Sequence, residues 1–224
     1  MIATKNEQTL RQFVDSWKVE YESKAKKLKL FTKCKINWDE DKKAKFAKIF
    51  YHARGNFFEL LWYLGSMAPN ADFKKILVTA IGEELGGKNQ SHEEYYFDFA
   101  NELGVDIKKE ILEKKFYIGS VKKFNHNFLE QVITQKYSVA WSVYSAYELL
   151  DNLDYAMLLK LVQGFGVTKS ALRFFMIHAK VAHFEATESE LQKIWQNDRQ
   201  SVIQGFDFIM TNQLEMWQNI GAEF

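Results

Sequence analysis

Proline is almost absent from this chain, and its absence constrains the fold strongly. The 224 residues include one proline, Pro69, and only 11 glycines, so few of the turns that bound short strands are available. Apolar residues instead recur at spacings of three and four along most of the chain, which is the period of an amphipathic helix. The pattern predicts an all-α protein, a compact bundle of roughly seven to ten helices.

The helical segments are bounded by capping residues. Side chains that can cap a helix N-terminus precede five of the segments, at Asp39, Asn70, Ser91, Asp106 and Thr168. Gly104 and Gly166 stand where helices end and where a residue that tolerates a positive φ is needed. To within a few residues, the predicted helices cover 4–27, 39–53, 56–67, 71–85, 91–103, 106–114, 120–133, 137–164, 168–195 and 198–221.

Composition indicates one globular domain over residues 1–224, with 47% hydrophobic and 26% charged residues. Thirty basic and 29 acidic residues leave a net charge of +1, which argues against a nucleic-acid partner. The N-terminal stretch contains no apolar run of signal-peptide or membrane-span length, and we expect no membrane partner. A single cysteine, Cys34, fits a reducing compartment, so we expect a cytoplasmic protein.

The stretch GEELGGKNQSHEEYYFDFANELG, residues 82–104, places two glutamates before a pair of glycines and a histidine at the start of the aromatic segment that follows. The break at Gly86-Gly87 lets one helix end at Glu84 and another begin at His92. Both side chains can then turn toward one pocket, which a continuous helix would not allow at a separation of eight residues. The alternative is an ordinary helix–turn–helix with both side chains in solvent.

Two further places put ionisable residues among apolar ones. Glu148 lies on a long apolar helix, where it would bind a metal ion, accept a hydrogen bond from a tyrosine or face solvent. His178 follows an apolar run that suggests burial, and Glu185 shares its helical face while His183 points about 140° away. A buried histidine such as His178 is also a common core residue with no ligand.

Carboxylates and histidines that converge from separate helices are the usual donors of carboxylate-bridged iron or manganese sites inside helical bundles. The common ferritin pattern places a glutamate three residues before a histidine on each of two helices. No histidine of this chain has an acidic residue three positions before it, so an ordinary ferritin-like site is excluded.

The order of these motifs resembles the heme-oxygenase-like superfamily, over roughly residues 40–195. The resemblance rests on FFELLWYLGSMAPNADFKKILVTAIGEELGGKNQSHEEYYFDFANELGV, AYELLDNLDY and FFMIHAKVAHFE. It is specific to the branch with the non-heme di-iron oxidases and the chlamydial death-domain-associating protein, with thiaminase II and pyrroloquinoline-quinone synthase as more distant relatives. The resemblance implies a heme-oxygenase-like helical bundle with Glu84, His92, Glu148 and His178 as metal ligands.

The last family motif is altered in this chain. Ala182 stands where the family has an aspartate ligand, and Glu185 stands where it has a second histidine. Glu185 can still bind iron through oxygen, and His183 would be recruited by a one-residue bulge, whereas Ala182 can bind nothing. The resemblance therefore implies iron in a mononuclear or dinuclear site. No heme is expected, because the first helix lacks the proximal histidine of heme oxygenases.

These patterns lead to two hypotheses. The first is a non-heme iron oxidase or oxygenase that activates dioxygen on a small organic substrate. The predicted substrate pocket consists of Tyr95, Tyr96, Trp141, Tyr144, Phe175 and His183. The second is a metal-free ligand-binding or interaction protein that retains the fold with a degenerate site. The large supply of aromatic residues also suggests a homodimer.

Overall fold

The computed structural model of the protein describes residues 8–32, 38–87, 89–180 and 183–224. Cys34 and Ala182 lie outside the described residues. The described residues form helices and no strand, which confirms the predicted all-α class. The helices are α1 (Leu10–Ala25), α2 (Lys29–Thr32), α3 (Glu40–Gly55), α4 (Phe57–Met67), α5 (Ala71–Glu84), α6 (His92–Glu102), α7 (Ile107–Glu113), α8 (Gly119–Thr134), α9 (Tyr137–Gln163), α10 (Arg173–His178), α11 (His183–Asn197) and α12 (Arg199–Ala222).

The longest helix, α9, lies at the centre of the bundle. Every residue from 141 to 150 is buried, because α8, α10, α11 and α12 pack around it. A helix segment enclosed in this way carries mostly apolar side chains on every face, which explains the long hydrophobic stretch of its sequence. Within the described ranges, no helix is both long enough and apolar enough to cross a membrane.

Capping side chains begin the helices at four of the five predicted positions: Asp39, Asn70, Ser91 and Asp106. Ser91 forms a full capping box, because its hydroxyl accepts from the Glu94 amide while the Glu94 carboxylate accepts from the Ser91 amide. Gly104 and Gly166 have φ values of 70° and 81°, as their positions at helix ends predicted.

The helix predicted over 168–195 is wrong in its continuity. The structure forms α10 over six residues that end at His178, and α11 begins only at His183. Thr168 does not cap a helix but begins a turn, where its hydroxyl accepts weakly from the Ala171 amide at 3.4 Å. The interruption after His178 changes which of the later side chains face the interior.

A close helix contact joins α12 to α9 at Gly205. A Cβ atom at this position would lie 2.7 Å from Ser142 Cβ and 2.8 Å from the Val143 amide nitrogen. We expect Gly205→Ala to lower the free energy of unfolding by about 1–3 kcal/mol, because overpacking pushes the two helices apart. Chemical denaturation followed by circular dichroism measures this change.

Gly82 on α5 is the matched control. A Cβ atom there meets nothing within 4 Å, and its φ is not positive. Gly82→Ala should therefore raise the free energy of unfolding by about 0.5–1 kcal/mol through helix propensity alone. Equal destabilisation of both variants would show that contact at Gly205 does not limit the packing of α9 and α12.

Candidate metal centre

The turn between α5 and α6 brings Glu84 and His92 together. Helix α5 ends at Glu84, Gly86 and Gly87 take φ values of 79° and 52°, and α6 starts again at His92. His92 Nδ1 then lies 3.0 Å from Glu84 Oε1. Both side chains are largely buried, at 10% and 18% exposed. The glycine break produces the convergence that its spacing predicted.

Gly86 cannot be replaced without strain. Its φ is positive, and a Cβ atom would lie 2.4 Å from the Gln90 carbonyl oxygen and 2.6 Å from the Ser91 amide nitrogen. The residue just before α6 therefore packs directly on Gly86, and the distance between the two helix ends depends on a glycine at this position.

His178, the last residue of α10, completes the group. Its Nδ1 lies 2.8 Å from the Phe174 carbonyl oxygen, which can only accept, so Nδ1 carries the hydrogen and Nε2 keeps its lone pair. The ring lies 4.6 Å from that of His92 and stacks on Tyr155 at 4.4 Å, measured between ring centroids. Burial lowers the pKa of His178 to about 3, so its imidazole is neutral at physiological pH.

Glu84, His92 and His178 each offer one ligand atom, and these atoms lie within 4.8 Å of one another. These three residues form the metal group. Burial raises the pKa of Glu84, but the hydrogen bond with His92 opposes this effect, and the pKa of Glu84 lies below its usual value. The group is therefore one carboxylate and two imidazoles, one of which is neutral and oriented by a backbone carbonyl.

This donor set fits ferrous iron. Two histidines and one carboxylate on one side of an ion, with the remaining positions open, are the ligands of non-heme Fe²⁺ oxygenases. Metal-binding histidines usually donate their second ring nitrogen to a carbonyl or carboxylate, as His178 does to Phe174. The residues present could thus hold iron without rearrangement of His178.

Glu148 lies outside this group, although it was predicted as a ligand. It is almost fully buried on α9, and its Oε2 lies 3.1 Å from His183 Nδ1. His183 Nε2 in turn lies 3.3 Å from Glu83 Oε2. Burial lowers the pKa of His183, but the hydrogen bond and the charge of Glu148 outweigh it and raise this pKa to about 9.

Glu185 is not brought to the metal group either. The prediction assumed one helix through His178 and Glu185, so that both residues would share a face. Since α11 starts anew at His183, the side chain of His183 faces Glu148, and Glu185 is exposed on the outer face. The interruption between α10 and α11 therefore turns His183 toward Glu148 and Glu185 toward solvent. One continuous helix would have placed Glu185, and not His183, on the face of His178.

A cavity of about 300 Å³ opens beside the metal group. Glu84, His92 and His178 form part of its wall, and aromatic rings form most of the remainder. The rings belong to Tyr51, Phe57, Phe58, Tyr96, Tyr147, Tyr155 and Phe174. This volume lies at the lower end of the range for small-molecule sites, and the predominantly apolar wall is typical of them.

A buried ion pair lies in the same wall. The guanidinium of Arg54 donates to Asp151 and to the hydroxyls of Tyr147 and Tyr155, the last at 3.0 Å. Asp151 is buried, and Arg54 and Asp151 are each less than a tenth exposed at the side chain. The pair places a guanidinium and a carboxyl group at the cavity, where a polar part of a ligand can reach them. Burial raises the pKa of Asp151 to about 7, although the charge of Arg54 opposes this shift.

The predicted pocket residues divide into three sets. Tyr96 lines the 300 Å³ cavity, whereas Tyr95 and His183 line a second, more open cavity that His92 also lines. Trp141, Tyr144 and Phe175 lie in the hydrophobic core and line neither cavity. Apolar periodicity predicts that a side chain is buried. It does not show whether a buried aromatic ring lies in the core or on a cavity wall.

Several solved structures share this fold. A domain of unknown function with a heme oxygenase-like fold from Shewanella denitrificans OS217 matches with a TM-score of 0.75 and 14% identity, over 97% of this chain and 94% of the other. A CADD-like protein of unknown function from Nostoc punctiforme PCC 73102 matches with a TM-score of 0.73 and 15% identity, over 93% of this chain and 97% of the other. The protein therefore has a heme oxygenase-like fold. No curated protein matches the sequence significantly.

The model of a family described as iron-containing redox enzymes matches residues 44–206. The chain belongs to this family. The matched region contains Glu84, His92 and His178 as well as the paired Glu148 and His183. A group of two histidines and one carboxylate is one kind of ligand set that holds non-heme iron.

Sequence reasoning missed Arg54 and Asp151 in this member of the iron-containing redox enzyme family. Asp151 follows Glu148 by three residues and so lies near it on α9, which was a sign of a second buried carboxylate. Arg54 lies in the polar stretch FYHARGN and carries no periodic signature of burial. Its position is set by side-chain contacts between α3 and α9, with Tyr155 and Asp151.

We expect Gly86→Ala to weaken metal binding at the metal group by roughly tenfold or more. Displacing a ligand should lower the metal affinity at least as much as removing a residue that orients a ligand. The added methyl group would push Gln90 and the start of α6 away from Glu84. Isothermal titration with Mn²⁺ measures the affinity.

Gly87→Asn serves as the control, because asparagine tolerates a positive φ and a Cβ atom there meets nothing within 4 Å. It should keep the affinity of the unmodified protein. Unchanged affinity in Gly86→Ala would mean that the turn does not set the spacing of Glu84 and His92.

Proposed function

We propose that this protein is a non-heme iron oxidase or oxygenase that uses dioxygen to oxidise a small organic substrate. The observation that carries the proposal is the group of Glu84, His92 and His178 at the wall of a 300 Å³ cavity. Family membership supports the same chemistry, because the family is one of iron-containing redox enzymes. Ferrous iron, when bound, would supply the electrons that activate dioxygen.

Each ligand residue has a defined task. Glu84 contributes negative charge that offsets part of the charge of a divalent ion. His178 is held by the Phe174 carbonyl and by stacking on Tyr155, so its Nε2 is preoriented. His92 is positioned by the α5–α6 turn and already contacts Glu84. Three separate elements thus present the donors.

The cavity wall would bind substrate and exclude water. Phe57, Phe58 and Phe174 provide apolar surface, which favours a substrate with an apolar body. The Arg54–Asp151 pair would orient a polar end of the substrate, through the guanidinium or the carboxylate. A small organic acid, an amino acid or a fatty acid derivative satisfies these requirements.

A second candidate function is metal-free binding of a ligand or partner at the same cavity. One observation favours it: Glu84 and His92 already satisfy each other through a hydrogen bond at 3.0 Å. A polar pair of this kind is stable without an ion. Iron content separates the two functions, because only the oxidase requires it.

We expect Glu84→Ala and His178→Ala each to weaken Fe²⁺ binding by roughly 100-fold or more. This loss of affinity exceeds the one typical of removing a residue that only orients a ligand. Anaerobic titration with Fe²⁺ and elemental analysis measure binding. Oxygen consumption by the loaded protein measures redox activity.

Glu185→Ala is the matched control, because Glu185 is exposed and lies apart from the three ligands. It should bind iron as the unmodified protein does. Purified protein that neither contains iron nor binds it on titration would overturn the oxidase proposal in favour of metal-free binding.

A further inference from the structure

Four tyrosines line the cavity beside the metal group, and their hydroxyls fall into two pairs. The Tyr51 hydroxyl donates to the Glu93 carboxylate at 2.6 Å, and the Tyr96 hydroxyl donates to the Ala47 carbonyl oxygen at 2.5 Å. A hydroxyl has a single hydrogen to donate, so these two hydroxyls are engaged within the protein. The other two tyrosines are bonded in the opposite sense.

Tyr147 and Tyr155 accept hydrogen bonds from Arg54. A guanidinium has no lone pair and can only donate, so both phenol oxygens act as acceptors and both keep their own hydrogen. In the part of the chain that the structure describes, neither hydroxyl has an acceptor for that hydrogen. The two hydrogens are therefore available to a group inside the cavity, which both residues line.

These donors are held in place before any ligand arrives. Tyr147, Asp151 and Tyr155 follow one another at intervals of four residues and share one face of α9. Arg54 contacts all three from α3, and both tyrosines are buried, at 2% and 1% exposed. The ring of Tyr147 also stacks on that of Phe57, with centroids 5.0 Å apart. Donors fixed in this way lose little freedom on binding, which favours affinity.

The chemical group that fits two hydroxyl donors beside a guanidinium is a carboxylate. An ionised carboxylate only accepts hydrogen bonds, and each of its two oxygens can take one. Hydrogen bonds to a charged acceptor are also stronger than those between neutral groups. An ammonium group only donates, so it would leave both hydroxyl hydrogens without an acceptor and would lie close to the positive charge of Arg54.

The charge of the cluster allows one further negative group. Asp151 already balances the charge of Arg54, so a bound carboxylate adds a negative charge to the cavity wall. Burial raises the pKa of Asp151 to about 7, which leaves this group close to protonation at physiological pH. A second negative charge nearby would raise that pKa further. A phosphate would bring nearly two negative charges to the same single cation, so a carboxylate fits better.

We propose that Tyr147, Tyr155 and Arg54 form a subsite that selects the substrate, and that the group they bind is the carboxylate of an apolar monocarboxylic acid. The two hydroxyls determine the specificity, because they supply the donors that meet the carboxylate oxygens. The inference rests on the proposed function, since it assumes that the substrate binds beside the metal group. It assigns the polar end of the substrate to these donors and not to Asp151.

Three probes that share one apolar chain test this inference: hexanoate, hexanol and hexylamine. Each is titrated into the full-length protein by calorimetry, with and without Mn²⁺. Hexanoate should bind at least roughly tenfold more tightly than hexanol, because its hydrogen bonds are charge-assisted, and hexylamine should bind most weakly. The preference should hold without Mn²⁺, since the donors belong to the protein.

Tyrosine variants locate the preference. Tyr147→Phe and Tyr155→Phe each remove one donor and should lower the ratio of hexanoate affinity to hexanol affinity by roughly fivefold or more. Tyr51→Phe is the matched control in the same wall and should leave this ratio unchanged, because the Tyr51 hydroxyl donates to Glu93. Tyr155→Phe retains the ring that stacks on His178, so its Mn²⁺ affinity should fall by less than about tenfold. Circular dichroism confirms that each variant keeps the helical fold.

The possible outcomes separate this inference from the oxidase proposal. Equal affinities for the three probes, tightest binding of hexylamine, or no binding of hexanoate at millimolar concentration would overturn the carboxylate subsite. An unchanged affinity ratio in both Tyr147→Phe and Tyr155→Phe would overturn it as well. Binding of hexanoate only with Mn²⁺ would show that the ion holds the carboxylate, which overturns the subsite and leaves the oxidase proposal standing. Selective binding of hexanoate by a protein that binds no metal would support the subsite and overturn the oxidase.

Discussion

Three buried carboxylates on α9 determine how the other helices pack. Glu148, Asp151 and Asp154 follow one another at intervals of three residues on the enclosed central helix. An unpaired charge in such a place costs several kcal/mol, so each carboxylate requires a partner from a different element. His183 on α11 contacts Glu148, and Arg54 on α3 contacts Asp151. Tyr21, Gln213 and Trp217, from α1 and α12, donate to Asp154 at 2.7–2.8 Å.

The metal group depends on these pairs indirectly, through a shared neighbour. Tyr155 next to Asp154 stacks on His178 and accepts a hydrogen bond from Arg54, so the ion pair and the ligand share a neighbour. His92 is placed independently, by the glycine turn that follows Glu84. The site therefore forms where a turn with local sequence requirements meets a long-range network of buried charges.

This difference in origin explains what the sequence could predict. Four of the five helix caps, Gly104 and the Glu84–His92 break are local patterns, and neighbouring residues predicted them correctly. The end of α10 at His178 was not, because HAKVAHFE contains neither glycine nor proline and keeps a helical period. The outward position of Glu185 follows from that interruption. The Arg54–Asp151 pair joins residues 97 positions apart and is set by packing alone.

The altered family motif and the paired cations have a common physical explanation. The resemblance implies an aspartate and a histidine ligand at the positions of Ala182 and Glu185, and without them a second ion would be poorly held. Glu148 and Asp151 would then remain buried without their compensating charge. A site in decay would relieve that cost by replacing the carboxylates with apolar residues of similar size. This chain keeps both carboxylates and pairs each with a protein cation, while the two-histidine, one-carboxylate group stays intact. The two buried carboxylates are thus compensated within the protein itself, by His183 and Arg54.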